Sequence, residues 1–91
     1  MKDAVFIAFQ ANDETRPIIE AISSDNPEAV VTRYPAMIKV DAPGRLVVRR
    51  LSIEGIIGRD FDLRELLVNL ISISGNIEES DDEFVLCWHN A

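Results

Sequence analysis

Apolar positions in this 91-residue chain fall in short blocks whose period switches between two and about 3.6. Ala4 to Gln10 is aromatic, β-branched and bounded by Asn12-Asp13, and predicts a buried strand. Asp13 to Ser23 predicts a helix. Asn12, Asp13 or Thr15 can cap it, and acids sit in its first turn, where the helix dipole favours them. Pro17 must lie early, since it has no N–H to donate. Ile18, Ile19, Ala21 and Ile22 form the core stripe, and Ser24-Asp25-Asn26-Pro27 ends the helix.

Val30 to Tyr34 predicts a short strand, and Pro35-Ala36 a turn. Met37 to Asp41 alternates strictly, with Ile38 and Val40 facing away from Lys39 and Asp41. Ala42-Pro43-Gly44-Arg45 reads as a turn and Leu46 to Arg50 as a fourth strand. Ser52 is the expected N-cap of a second, short helix that ends at Gly58. Asp62 caps an expected helical turn through Glu65. Leu66 to Ser74 is long, apolar and β-rich, and reads as a central strand. Gly75-Asn76 opens a loop that runs through the acids to Glu83. Phe84 to Trp88 then returns as the antiparallel partner of that central strand.

The order is β-α-β-β twice, over about residues 4–45 and 46–89. Halves this small cannot hold separate large cores. The expected fold class is therefore α+β: one domain over residues 1–91, its two halves sharing a core, with antiparallel sheets and helices packed on them.

Composition narrows the function. A hydrophobic share of 47% with 27% charged residues is that of a globular chain. Sixteen acids against nine bases leave a net charge of −7. Such a chain is repelled by nucleic acid and anionic lipid, so no nucleic-acid or membrane role is expected; it suits a protein partner with basic patches. One cysteine excludes an internal disulfide and a cysteine-based metal cluster. No apolar signal segment follows Met1 and no run is long enough to span a bilayer, so a cytoplasmic location is expected.

Little in the chain resembles catalytic equipment. Cys87 and His89 share one face of the last strand, with Trp88 on the other. The pair is a candidate for an activated thiolate. The plainer reading is a packed cysteine near the chain's end, because a reactive thiol needs an electropositive, exposed setting. Glu78, Glu79, Asp81, Asp82 and Glu83 do not follow the calcium-loop pattern. They read as a solvated hairpin tip or as a steering patch for a basic partner. Arg45, Arg49, Arg50, Arg59 and Arg64 gather mid-chain, either in local ion pairs or to orient a complex. Asn69 interrupts an apolar run; if buried, its amide must be hydrogen-bonded. Phosphate-loop, dinucleotide and zinc-protease motifs do not occur. No catalytic residue, metal ligand or cofactor is therefore assigned.

The order and spacing of several short pieces carry a resemblance. They are Asn12-Asp13-Glu14, Asp25-Asn26-Pro27, Gly58-Arg59 with Asp62-Leu63, Ile71-Ser72 with Gly75-Asn76, and Asp82 to Trp88. From about Ala4 to Trp88 the chain resembles the coupling or effector proteins of bacterial multicomponent diiron monooxygenases. It looks most like the regulatory component of phenol hydroxylases. The methane-oxidising members carry longer termini, so the phenol or toluene branch is the expected one.

The resemblance implies a cofactor-free, non-catalytic protein that docks on a separate diiron hydroxylase. There it would regulate aromatic hydroxylation, substrate access and electron transfer. Candidate partner-binding residues are Ser52, Arg59, Ser72, Ser74, Gly75 and Asn76. The competing reading from another class is a ferredoxin-like small-molecule-sensing module. Its usual glycine-rich loop after the first strand is missing at Phe9-Gln10-Ala11-Asn12.

Overall fold

A computed structural model describes residues 4–88. Strand β1 (Ala4–Gln10) leads into helix α1 (Thr15–Asp25), followed by β2 (Val30–Arg33), β3 (Met37–Pro43) and β4 (Arg45–Arg49). Helix α2 (Arg50–Ile57), a 3-10 turn (Leu63–Glu65) and helix α3 (Leu66–Asn69) come next. Strands β5 (Leu70–Ser74), β6 (Asn76–Glu79) and β7 (Glu83–Cys87) complete the chain. The strands form two antiparallel sheets, β2-β3-β1-β5 and β4-β7-β6. The α+β class with antiparallel sheets and packed helices is the one expected. A ferredoxin-like plan keeps its strands in one sheet; this chain divides them between two.

One apolar cluster joins both sheets and the helices. Val5, Ile7 and Phe9 of β1 lie opposite Ala42, Val40 and Ile38 of β3, all on the covered face. The α1 stripe of Ile18, Ile19, Ala21 and Ile22 is buried as its spacing predicts. Leu46, Val48, Ile53, Phe61, Leu63, Leu66, Phe84 and Leu86 complete the cluster from the other half.

Polar side chains close the ends of α1. Asn12 Oδ1 accepts the backbone N–H groups of Glu14 and Thr15, both at 3.0 Å. Thr15, fully buried, donates its hydroxyl to the Gln10 carbonyl at 2.7 Å. Of the three expected caps, Asp13 instead faces solvent beside Arg16. At the other end, Asn26 donates its amide to the Ile22 carbonyl (2.8 Å) and the Val47 carbonyl (2.7 Å), and accepts the Val47 N–H at 3.0 Å. That amide thus occupies a strand's place along the free edge of β4.

Two corners carry the chain between the sheets. Only Gly44 (φ +76°) separates β3 from β4, and only Gly75 (φ +133°) separates β5 from β6. In each case an extended strand leaves one sheet and enters the other within one residue. A positive φ costs glycine little and costs L side chains more. At Gly75 a Cβ would also stand 2.9 Å from Val5 Cγ1.

Four expectations need correction. Leu66 to Asn69 is helical, not strand. Asp62 accepts the Arg64 N–H (2.9 Å), and the Glu65 carboxylate accepts the Asp62 N–H (2.9 Å). This reciprocal capping box starts a helical turn that α3 continues. Leu63, Leu66 and Asn69, spaced by three, then point inward. Second, β5 pairs with β1, not with the last strand; β7 lies between β4 and β6. Third, Asn76–Glu79 is a strand rather than a loop. All its residues are exposed, so backbone pairing and not burial defines it. Fourth, α2 begins at Arg50, leaving Ser52 inside it. The Arg50 N–H donates to the Asp82 carbonyl at 2.8 Å, a partner from a distant loop that no local capping pattern announces. Gly58 ends α2 in the left-handed conformation, as expected.

Gly75→Ala should destabilise the fold by roughly 1–3 kcal/mol, combining positive-φ strain with overpacking on Val5; chemical denaturation measures it. The capping box gives a pH signature. The Arg64 guanidinium, first, and the Arg64 N–H lower the Asp62 pKa to about 2. A lowered folded-state pKa contributes stability above the unfolded value of roughly 4, lost as pH falls toward the folded value. The melting-temperature gap between the wild type and Asp62→Asn should therefore be full at pH 6 and shrink between about pH 4 and 2.

Candidate partner-binding surface

The register of the four-stranded sheet sorts its two faces. Ser74 lies opposite Phe6, which lies opposite Asp41 and then Val30. Ser72 lies opposite Ala8, then Lys39 and Thr32. These rows form the face turned away from the core. It is mixed in chemistry. Lys39 Nζ sits 4.3 Å from the centre of the Phe6 ring and 3.5 Å from Asp41 Oδ2. Ser72 and Ser74 thus share one face, as their alternation predicts. Gly75 turns the corner against Val5, and Asn76 is exposed at the start of β6.

Ser52 and Arg59 belong to other elements. Ser52 is half-buried on α2. Arg59 is exposed on the connection after it, donating to the Asp60 carbonyl (2.8 Å) and to Glu65 Oε1 (3.3 Å). The hydrogen bond from the Asp62 N–H holds the Glu65 carboxyl below its usual pKa, with Arg59 adding to the effect.

The apolar exposure beside β5 is absent from the sequence expectations. Leu67 is 61% exposed, Val68 71% and Ile71 48%. They form an apolar knuckle because α3 turns its other side inward. Asn69, buried, accepts from Asn12 Nδ2 at 2.8 Å and donates to Glu14 Oε1 at 3.4 Å. This satisfies the amide as required and anchors α3 to the β1–α1 loop. The available signal was the Asp62-x-x-Glu65 capping box; hydrophobicity alone made the run look like a buried strand.

Four of the mid-chain arginines, Arg49, Arg50, Arg59 and Arg64, form ion pairs with nearby acids. Arg49 meets Glu83 (3.4 Å), Arg59 meets Glu65 (3.3 Å) and Arg64 meets Asp62 (2.7 Å). Arg50 reaches both Glu54 (2.8 Å) and Asp82 (2.6 Å). Its pKa is raised, chiefly by the hydrogen bond to Asp82 and then by that to Glu54. Glu54 is lowered first by the Phe61 N–H it accepts. The acidic segment forms a hairpin whose turn is closed by Ser80 Oγ, which accepts the Asp82 and Glu83 N–H groups. Cys87 is half-buried on β7, opposite Arg45 and Asn76. His89, its suggested partner, lies outside the described residues. The described residues include no group of three or more His, Cys, Asp or Glu placed to hold a metal ion. No helix among them is long and apolar enough to cross a membrane.

Comparison with known proteins gives a consistent result. The stimulatory component DmpM of phenol 2-monooxygenase from Pseudomonas sp. (strain CF600) is 51% identical over 90 residues, spanning 99% of this chain and 100% of that one. A chain in a solved phenol hydroxylase–regulatory protein complex superposes with a TM-score of 0.91 at 49% identity, covering 94% of this chain and 99% of that one. The regulatory protein B of soluble methane monooxygenase shares the fold, with a TM-score of 0.76 at 24% identity over 96% of this chain and 66% of that one. The sequence profile of the MmoB/DmpM family matches residues 3–87, and the chain belongs to that family.

Proposed function

We propose that this protein is the non-catalytic effector of a multicomponent phenol or toluene monooxygenase. It docks on the diiron hydroxylase component and regulates aromatic hydroxylation, substrate access and electron transfer. The observation that carries this reading is the end-to-end likeness to a phenol 2-monooxygenase stimulatory component. A chain from a phenol hydroxylase–regulatory protein complex, alike in sequence and fold, supports it as well. A protein that supplies no reacting group alters a rate only by binding one state of its partner more tightly than another. A cytoplasmic location belongs to the same proposal: the single cysteine needs no oxidising compartment to pair in.

The docking face we assign runs from the Leu67-Val68-Ile71 knuckle along Ser72 and Ser74 to Gly75 and Asn76; Ser52 and Arg59, on and after α2, are further candidate contacts. The knuckle supplies apolar area beside small side chains that permit close approach. Such centres dominate the energy of an interface, while rim charges act more on association rate.

Mixed with a phenol hydroxylase and its reductase, the protein should raise product formation to a plateau near one copy per active site. A flat response overturns the proposal. Val68→Glu should raise the half-saturating concentration by roughly tenfold or more, as loss of an interface hot spot does. Its melting temperature should stay at the wild-type value, because Val68 is exposed.

A further inference from the structure

Arg50 links helix α2 and the connection that follows it to the β6–β7 tip, which lies 32 residues further along the chain. Its backbone N–H donates to the Asp82 carbonyl at the hairpin tip. Its guanidinium donates to Asp82 Oδ1 through Nε (3.2 Å) and Nη2 (2.6 Å), and to Glu54 Oε2 through Nη1 (2.8 Å). The same Glu54 oxygen accepts the Phe61 N–H at 2.8 Å. Phe61 is buried and opens the capped turn, whose Glu65 holds Arg59. An unbroken series of polar contacts thus runs from the acidic hairpin to the α2–α3 connection. At its centre one guanidinium fills two acceptor sites with its planar donor fork, a geometry that a lysine ammonium does not reproduce.

We propose that Arg50 is a positioning residue. It clamps the β6–β7 tip to the connection between α2 and α3, so that the acidic hairpin and Arg59 are presented to a partner as one rigid unit. The hairpin is therefore not a free solvated loop. Asp82 acts on Phe61 at second hand, through Arg50 and Glu54, although the two share no hydrogen bond in this network. Glu79, Ser80 and Asp81 line the same cleft as Arg50, Glu54 and the segment from Asp60 to Glu65.

Amide hydrogen exchange on the isolated protein tests the clamp. Asp82→Ala removes an exposed side chain and leaves the backbone contact to Arg50 in place. It should speed exchange of the Phe61 N–H by about fivefold or more, the effect expected of one lost charge-assisted hydrogen bond. Core amides such as those of Ile7 and Val40 should not change. Arg50→Lys should give the same local loss despite its retained charge. Unchanged Phe61 exchange in both variants overturns the proposal, as does acceleration spread equally over the core, which would mark general destabilisation. A second measurement rests on the effector reading. With hydroxylase present, Asp82→Ala should raise the half-saturating concentration by about threefold or more and leave the plateau rate unchanged, as loosening of a presented surface does. Failure of the wild type to stimulate would defeat the effector reading alone, because the exchange result needs no partner.

Discussion

Two single-residue corners govern this architecture. At Gly44 and Gly75 the backbone takes a positive φ between two extended strands, so the chain changes sheet without an intervening loop. The first corner sends β4 away from β3. The second sends β6 away from β5 after β5 has returned to the first sheet beside β1. The halves are therefore interlocked: the second half completes the first sheet, and one core serves both. Gly75 is the more constrained corner, since Val5 fills the space a side chain would need. Only Gly75 separates Ser74 at the end of β5 from Asn76 at the start of β6, so no loop intervenes there.

Side-chain amides hold the helices to this frame. Asn26 satisfies both backbone groups of Val47 on a sheet edge, and Asn69 binds Asn12 across the molecule. Each is a partly or fully buried polar group whose hydrogen bonds require one placement of the two elements it joins. The α3 turn shows the consequence. With Leu66 and Asn69 held inward, Leu67 and Val68 have no inward direction left and stand in solvent. Apolar exposure here follows from packing elsewhere, which is how a small fold presents a sticky feature without a loose core.

Charge is distributed to similar effect. The net charge of −7 conceals arginines that are mostly committed to neighbouring carboxylates. Exposed pairs of this kind add little stability. Their value lies in geometry: Arg50 and Glu54 tie the hairpin tip at Asp82 to the backbone of Phe61. A family of effectors needs such definition, since shape and contact are all it brings to the reaction of a partner.

Much of this was legible in the chain alone. The β1 run, the α1 stripe, a cap among Asn12, Asp13 and Thr15, Gly58 as a helix terminus and the Asp62 turn all follow from local periodicity and capping chemistry. So did the family, from the order of short motifs. The partner of each strand was not legible. Leu66 to Ser74 has the composition of one buried strand, yet a capping box four residues upstream makes its first part helical. The acidic Asn76–Glu79 segment has no apolar side to betray a strand, and only the free edge of β7 makes it one. Arg50 starts α2 because a distant hairpin offers a carbonyl. Of the candidate residues, alternation alone set Ser72 and Ser74 on one face; which molecule-wide face that was, and what stood beside it, depended on β1. Periodicity is a property of neighbours in sequence, fixed by the rise and twist of one element. Strand partners, sheet membership and the exposure of Leu67 and Val68 depend on contacts between distant segments, which exist only once both glycine corners have folded the chain back on itself.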